Sequence, residues 1–188
     1  MAKPKSEEKR NAIMTAATRV IAAEGLGAPT AAIAHEAGVA NGTLFTYFET
    51  KADLLNALYL ELKTEMAEAA LDGLPPTADL RKQMFHVWKR SMNWASSSPD
   101  KRRALAQLTV SDEITPATRT EGRRVMAPLG DLVERSRTSG PMRHTPMPFV
   151  IALMDSLAET TMDFMIREPA NAEKHCKAGF DAMWRAIT

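Results

Sequence analysis

Apolar residues recur along this chain at intervals of three and four. Between Glu7 and Glu24 they fall at Ile13, Ala16, Ala17, Val20 and Ile21, the stripe of an amphipathic helix. Ser6 offers a start and Gly25 a C-terminal stop. After the break at Ala28-Pro29, Thr30 can cap a short helix reaching Ala37. Gly38-Val39 reads as a tight turn, and a second short helix runs from about Asn41 to Tyr47. A long helix begins near Lys51 with Leu54, Leu55, Leu58, Leu62 and Met66 on one face. It ends by Gly73-Leu74-Pro75-Pro76, the clearest punctuation in the chain.

Beyond that break, Asp79 to Ala95 carries one stripe of Leu80, Met84, Val87, Ser91 and Trp94 and another of Phe85, Trp88 and Met92. Ser96 to Pro99 interrupts. A short helix follows from Asp100 to about Val110, and Thr115-Pro116 opens another that runs to Arg137 with a kink at Pro128. Ser139 to Pro148 is a loop, and Phe149–Arg167 and Asn171–Thr188 are the last two helices. No segment alternates with the period of a strand, and nothing repeats. The predicted class is all-α, with about nine helices.

Composition narrows the picture without changing it. The 188 residues are 45% hydrophobic and 25% charged, which excludes a disordered or collagen-like chain and allows one substantial core. No apolar run reaches the roughly 18 residues of a membrane span, and Met1 to Glu8 lack the apolar core of a signal peptide. The single cysteine, Cys176, can form no intrachain disulfide, which suits a reducing cytoplasm, the expected location. A net charge of +1 excludes a uniformly basic nucleic-acid binder. In residues 1–51, Lys3, Lys5, Lys9, Arg10, Arg19 and Lys51 are nearly balanced by Glu7, Glu8, Glu24, Glu36 and Glu49. Any contact with DNA must come from arrangement, not bulk charge.

The arrangement between Thr30 and Lys51 is that of a helix-turn-helix. Ala34 is the small residue wanted where the two helices cross, and Gly38 suits the turn between them. Ile33, Ala37, Val39 and Leu44 have the spacing to pin both helices to a third. Asn41, Thr43 and Thr46 are short polar residues that the second helix can present to a major groove.

The segment Thr30-Ala31-Ala32-Ile33-Ala34-His35-Glu36-Ala37-Gly38-Val39-Ala40-Asn41-Gly42-Thr43-Leu44-Phe45-Thr46-Tyr47-Phe48-Glu49-Thr50-Lys51, followed by Leu54-Leu55, resembles the DNA-binding signature of the TetR family of ligand-responsive transcriptional regulators. The Tyr47-Phe48 pair ahead of Lys51 is the family-specific part, and the match covers about the first quarter of the chain. The resemblance implies a DNA-binding domain at 1–50 and a ligand-binding and dimerisation domain at 51–188. It implies that Thr30, Tyr47 and Lys51 meet phosphates, and that Asn41, Thr43 and Thr46 face base edges or nearby phosphates. It also implies palindromic double-stranded operator DNA, bound by a homodimer that usually represses and lets go when a small ligand binds. Two positions depart from the pattern. Ala40 stands where serine is common, which removes a capping hydroxyl. Phe45 replaces the commoner tyrosine, and so can touch thymine methyls but donate no hydrogen bond.

Phe85, Trp88 and Met92, with Leu105, Leu108 and Met126, are candidate linings of an apolar effector cavity. Helical stripes of this kind also serve simply as core. His86, Asn93 and Gln107 are the polar candidates for orienting a ligand. The helix from Phe149 has apolar residues on two sides and is followed by Cys176, Phe180, Met183, Trp184 and Ile187, which points to a homodimer through the last two helices. No cofactor, metal or enzymatic activity is expected. The histidines lack zinc-type spacing, and adjacent His175 and Cys176 point in different directions on a helix. The alternatives are a helical ligand sensor or scaffold that binds no DNA, and a small all-α enzyme.

Overall fold

The computed structural model describes residues 3–76 and 78–188, with side chains from residue 6 onward. Met1 and Ala2, which open the stretch read above as lacking a leader, lie outside the described residues. Among those described there are ten α-helices, one 3-10 turn at Pro169–Asn171 and no strand, so the all-α expectation is met. No helix among them is long and apolar enough to cross a membrane.

Two compact units divide the chain: residues 1–65 with 98–125, and residues 66–97 with 126–188. The first unit contains α1 (Lys3–Glu24), α2 (Thr30–Glu36), α3 (Asn41–Tyr47), the N-terminal part of α4 (Lys51–Leu71), α6 (Pro99–Val110) and α7 (Pro116–Val125). Its core is made by the predicted stripes: Ile13, Ala17 and Ile21 of α1, Ile33 and Ala34 of α2, Leu44 of α3, Leu54, Leu55 and Leu58 of α4, and Leu108 of α6, all essentially without solvent contact. Side chains tie the connecting segments to the helices. Gln107 of α6 donates to the Ile21 carbonyl at the end of α1 (3.1 Å). Asn56 of α4 bonds the Glu113 carbonyl and the Thr115 amide, and Arg119 of α7 donates to the carbonyls of Thr109 and Ser111. The segment between α6 and α7 is therefore held by a fork of backbone-like bonds at each side.

The second unit contains the end of α4, α5 (Leu80–Ser97), α8 (Ala127–Ser136), α9 (Met147–Arg167) and α10 (Ala172–Ile187). Met84, Trp88 and Met92 of α5 are buried with Val150, Met162 and Met165 of α9 and Cys176, Phe180, Met183 and Ile187 of α10. Two glycines permit close approach. A Cβ at Gly179 would strike Thr161 across the α9–α10 contact, and one at Gly140 would strike the Ile187 carbonyl. The helix that the sequence predicts from Pro116 to Arg137 is broken at Met126, and Pro128 lies in the first turn of α8 instead of kinking a continuous helix. Proline lacks only an amide that the first turn leaves unbonded anyway, which adds a helix to the expected nine. Thr30 likewise opens α2 as its first residue. The capping position belongs to Pro29, whose ψ of 149° is extended.

Arg137 organises the loop between α8 and α9. Its guanidinium is buried, donates to the carbonyls of Met142 and Thr145 at 2.6 Å each, and pairs with Glu134 at 2.7 Å. A planar fork of five donors suits such a cluster of carbonyls. Arg137→Met removes the donors and keeps the stem. It should cost about 2–3 kcal/mol in denaturant unfolding and speed hydrogen exchange in residues 138–146. Exchange there at the wild-type rate would mean that the loop holds itself.

Candidate nucleic-acid interface

The turn between α2 and α3 is fixed by backbone geometry. Gly38 has φ +66°, a left-handed conformation that side chains resist. Its amide donates to the His35 carbonyl, and the Val39 amide reaches back to Ala34, both at 3.0 Å. The chain then enters α3 through Ala40, whose ψ of 145° is that of a capping residue but which makes no side-chain capping bond. The hydroxyl missed in the sequence is missed in the fold as well.

Seven residues make a helix too short to persist alone. Leu44 is fully buried and Phe48, which closes α3, nearly so. With those two inside, Asn41, Gly42, Phe45 and Thr46 face outward, and Thr43 and Tyr47 are half-buried at the flanks, as is Thr30 on α2. Phe45 is 42% exposed, an unusual place for a phenyl ring. The Thr46 hydroxyl donates to the Gly42 carbonyl at 3.2 Å, so its proton is used inside the helix.

Lys51 opens α4, and its ammonium donates to the Leu26 carbonyl in the loop after α1 (2.6 Å). An ammonium has three donors. One anchors α4 to the α1–α2 loop and two remain for an anion. The start of α4 is further fixed by a reciprocal cap. The Thr50 hydroxyl accepts the Asp53 amide at 3.1 Å, and the Asp53 carboxylate accepts the Thr50 amide at 3.0 Å. Thr50-Lys51-Ala52-Asp53 has the spacing of a capping box and is legible in the sequence. Two arginines of this unit are paired. Arg10 lies 5.7 Å from the Phe48 ring centre and bonds Glu61 at 3.3 Å, and Arg19 bonds Glu36 at 3.2 Å.

The candidate effector residues are distributed over both units. Leu105 and Leu108 are core residues of the first; Phe85, Trp88, Met92 and Met126 belong to the second. Trp88 and Met92 are buried, and the Trp88 indole donates to the Cys176 carbonyl (3.0 Å). Phe85 lines a groove of about 260 Å³ with Phe180, Arg81, Lys82, Lys177, Asp79 and Asp181. Its ring meets Phe180 edge to face at 4.9 Å, and Arg81 pairs with Asp181 at 2.6 Å. Gln107 and His86 are engaged with carbonyls, of Ile21 and Asp72, and Asn93 is exposed. Burial pushes the Cys176 thiol up from its ordinary value, and the residue packs in the core of the second unit.

Residues 13–58 match the family model of the bacterial regulatory proteins, tetR family. Among solved structures, one of the tetR family of transcription regulators from Shewanella sp. PV-4 is 26% identical. It superposes with a TM-score of 0.85 over 95% of this chain and 97% of its own. A TetR family transcription regulator from Marinobacter aquaeolei VT8 is 24% identical, with a TM-score of 0.85 over 97% of each chain. A more distant match, at 16% identity and a TM-score of 0.70 over 95% of this chain and 99% of its own, is the transcriptional regulator FadR from Bacillus subtilis in complex with stearoyl-CoA. The α2–turn–α3 segment is thus a helix-turn-helix within a transcription-regulator fold. Residues 13–58 carry the tetR-family sequence, and the chain as a whole has the fold of TetR-family transcription regulators.

Proposed function

We propose that this chain is a transcriptional repressor that binds a palindromic operator duplex as a homodimer and releases it when a small, largely apolar ligand binds. The observation that carries the reading is the outward face of α3. A seven-residue helix is pinned by Leu44 and Phe48, leaving Asn41, Phe45 and Thr46 exposed within the segment that matches the family model. In this reading Asn41, Thr43, Phe45 and Thr46 meet base edges or nearby phosphates, and Thr30, Tyr47 and Lys51 meet phosphates. Residues 1–50 carry recognition and 51–188 carry dimerisation and ligand response, with α4 as the continuous link between the functions.

Selection of bound duplex from a random pool at fixed salt tests this directly. A palindromic consensus is expected, with half-sites about one helical turn apart. Lys51→Ala should weaken binding to every sequence alike and reduce the salt slope by about 1. Because Lys51 also holds the Leu26 carbonyl, the variant's folded fraction is measured alongside. No enrichment by folded protein would favour the ligand sensor or scaffold.

The dimer is assigned to the last two helices. Within one chain α9 buries Val150, Met162 and Met165, while Phe149, Ile151, Phe164 and Ile166 remain at least 40% exposed. That apolar surplus is the sign of a helix with a second partner. Sedimentation should show a dimer at micromolar concentration, with an interface on the order of 2,000 Å² or more. A monomer would remove the palindrome's physical basis.

Support for an effector is the transcription-regulator fold, a stearoyl-CoA complex of one distant fold neighbour, and the Phe85–Phe180 wall of the groove in the second unit. Binding free energies are reciprocal. Any small molecule that raises the melting temperature of free protein and displaces operator should bind the operator complex more weakly by the same factor, about 5–150-fold. Equal affinity for both forms would mark it as a bystander.

A further inference from the structure

The glycines of this chain fall into kinds. Gly25, Gly38 and Gly73 hold positive φ. Gly122, Gly140 and Gly179 sit where a Cβ would collide with a neighbour. Gly42 belongs to neither group. It lies within α3 without a positive φ, and nothing stands within 4 Å of the place a Cβ would occupy. Glycine in a helix is less favourable than alanine, so no contact among the described residues accounts for it. Gly27 and Gly130 share the open space but not the surroundings, since Gly27 lies in the turn after α1 and the i+3 neighbour of Gly130, Val133, is buried.

The surroundings of Gly42 are outward-facing. Residues at i, i+3 and i+4 share one face of a helix, and Gly42, Phe45 and Thr46 are all exposed. Phe45 contributes an apolar ring. Thr46 has its hydroxyl proton committed to the Gly42 carbonyl. The three residues therefore make a bare patch of helix backbone beside a phenyl ring, with no free side-chain donor. In a major groove the apolar group of matching size is the C5 methyl of thymine.

We propose that Gly42 forms the floor of a notch, walled by Phe45 and Thr46, that seats one thymine methyl in each half-site. The inference rests on the operator-binding reading above and adds to it a residue that reads by lacking a side chain. A methyl on residue 42 would fill the notch from the inside, and removing the methyl from the thymine would empty it from the outside.

The test pairs the two changes on the full-length protein, with the duplex obtained by selection and each thymine replaced in turn by deoxyuridine. In the wild type, one thymine per half-site should lose about fourfold in affinity, the worth of one buried methyl. Gly42→Ala should keep or raise the melting temperature, by up to about 4 °C. It should bind the thymine operator about tenfold more weakly, the ordinary effect of one misread base pair. In that variant the difference between thymine and deoxyuridine should vanish, and the salt slope should stay at the wild-type value. Wild-type affinity in Gly42→Ala, a lowered melting temperature, or no sensitive thymine would each overturn the proposal. If folded wild type selects no duplex, the operator-binding reading and the notch fall together. If wild type binds and Lys51→Ala lowers the salt slope while Gly42→Ala binds undiminished, the notch alone is wrong.

Discussion

A seven-residue helix cannot hold its own shape in water, because the cost of its first turn is never recovered along its length. In this protein α3 exists through Leu44, which has no solvent contact, and through Phe48 at its end. Burial of those two residues sets the rotation of the helix, and the rotation decides which residues look outward. Asn41, Gly42, Phe45 and Thr46 are exposed because Leu44 is not. The left-handed turn at Gly38 and the fixed start of α4 at Thr50, Lys51 and Asp53 hold the two ends of the same short element. The outward face of α3 follows from a packing constraint on Leu44 and Phe48.

Much of that was readable in advance, for a physical reason. The first unit is built from stripes, and stripes are periodic. Ile13, Ala17, Ile21, Ile33, Leu44, Leu54 and Leu58 announce their burial by spacing alone, and the limits of α3 at Asn41 and Tyr47 follow. Proline was ambiguous. A proline both kinks a helix and begins one, so nothing in the sequence separated a kink at Pro128 from a new helix after Met126. Pro29 took the capping position from Thr30 for a related reason, since the proline ring already favours the extended entry to α2.

What stayed hidden were bonds from side chains to distant backbone. Arg137 closes on Met142 and Thr145, Asn56 on Glu113 and Thr115, Gln107 on Ile21, and Lys51 on Leu26. A carbonyl carries no sequence signature, so such clamps cannot be found by pattern. The candidate effector residues show the other limit. Apolar spacing announces burial, not vacancy. Trp88, Met92 and Leu108 are buried as their stripes require, whereas the groove beside Phe85 is formed with charged residues that no stripe singles out.

The ion pairs of the first unit bear on the search that operator binding, as proposed, would require. Arg10 is spent on Glu61 and Phe48, Arg19 on Glu36, and part of Lys51 on a carbonyl. Loose attraction to arbitrary duplex is almost wholly a matter of cations displacing counterions. If that unit is the operator-binding head proposed above, these two arginines are less free to hold unrelated sequence than unpaired ones would be. In that reading each cation engaged within the protein would shorten a visit to the wrong site and favour hops through solution over one-dimensional sliding.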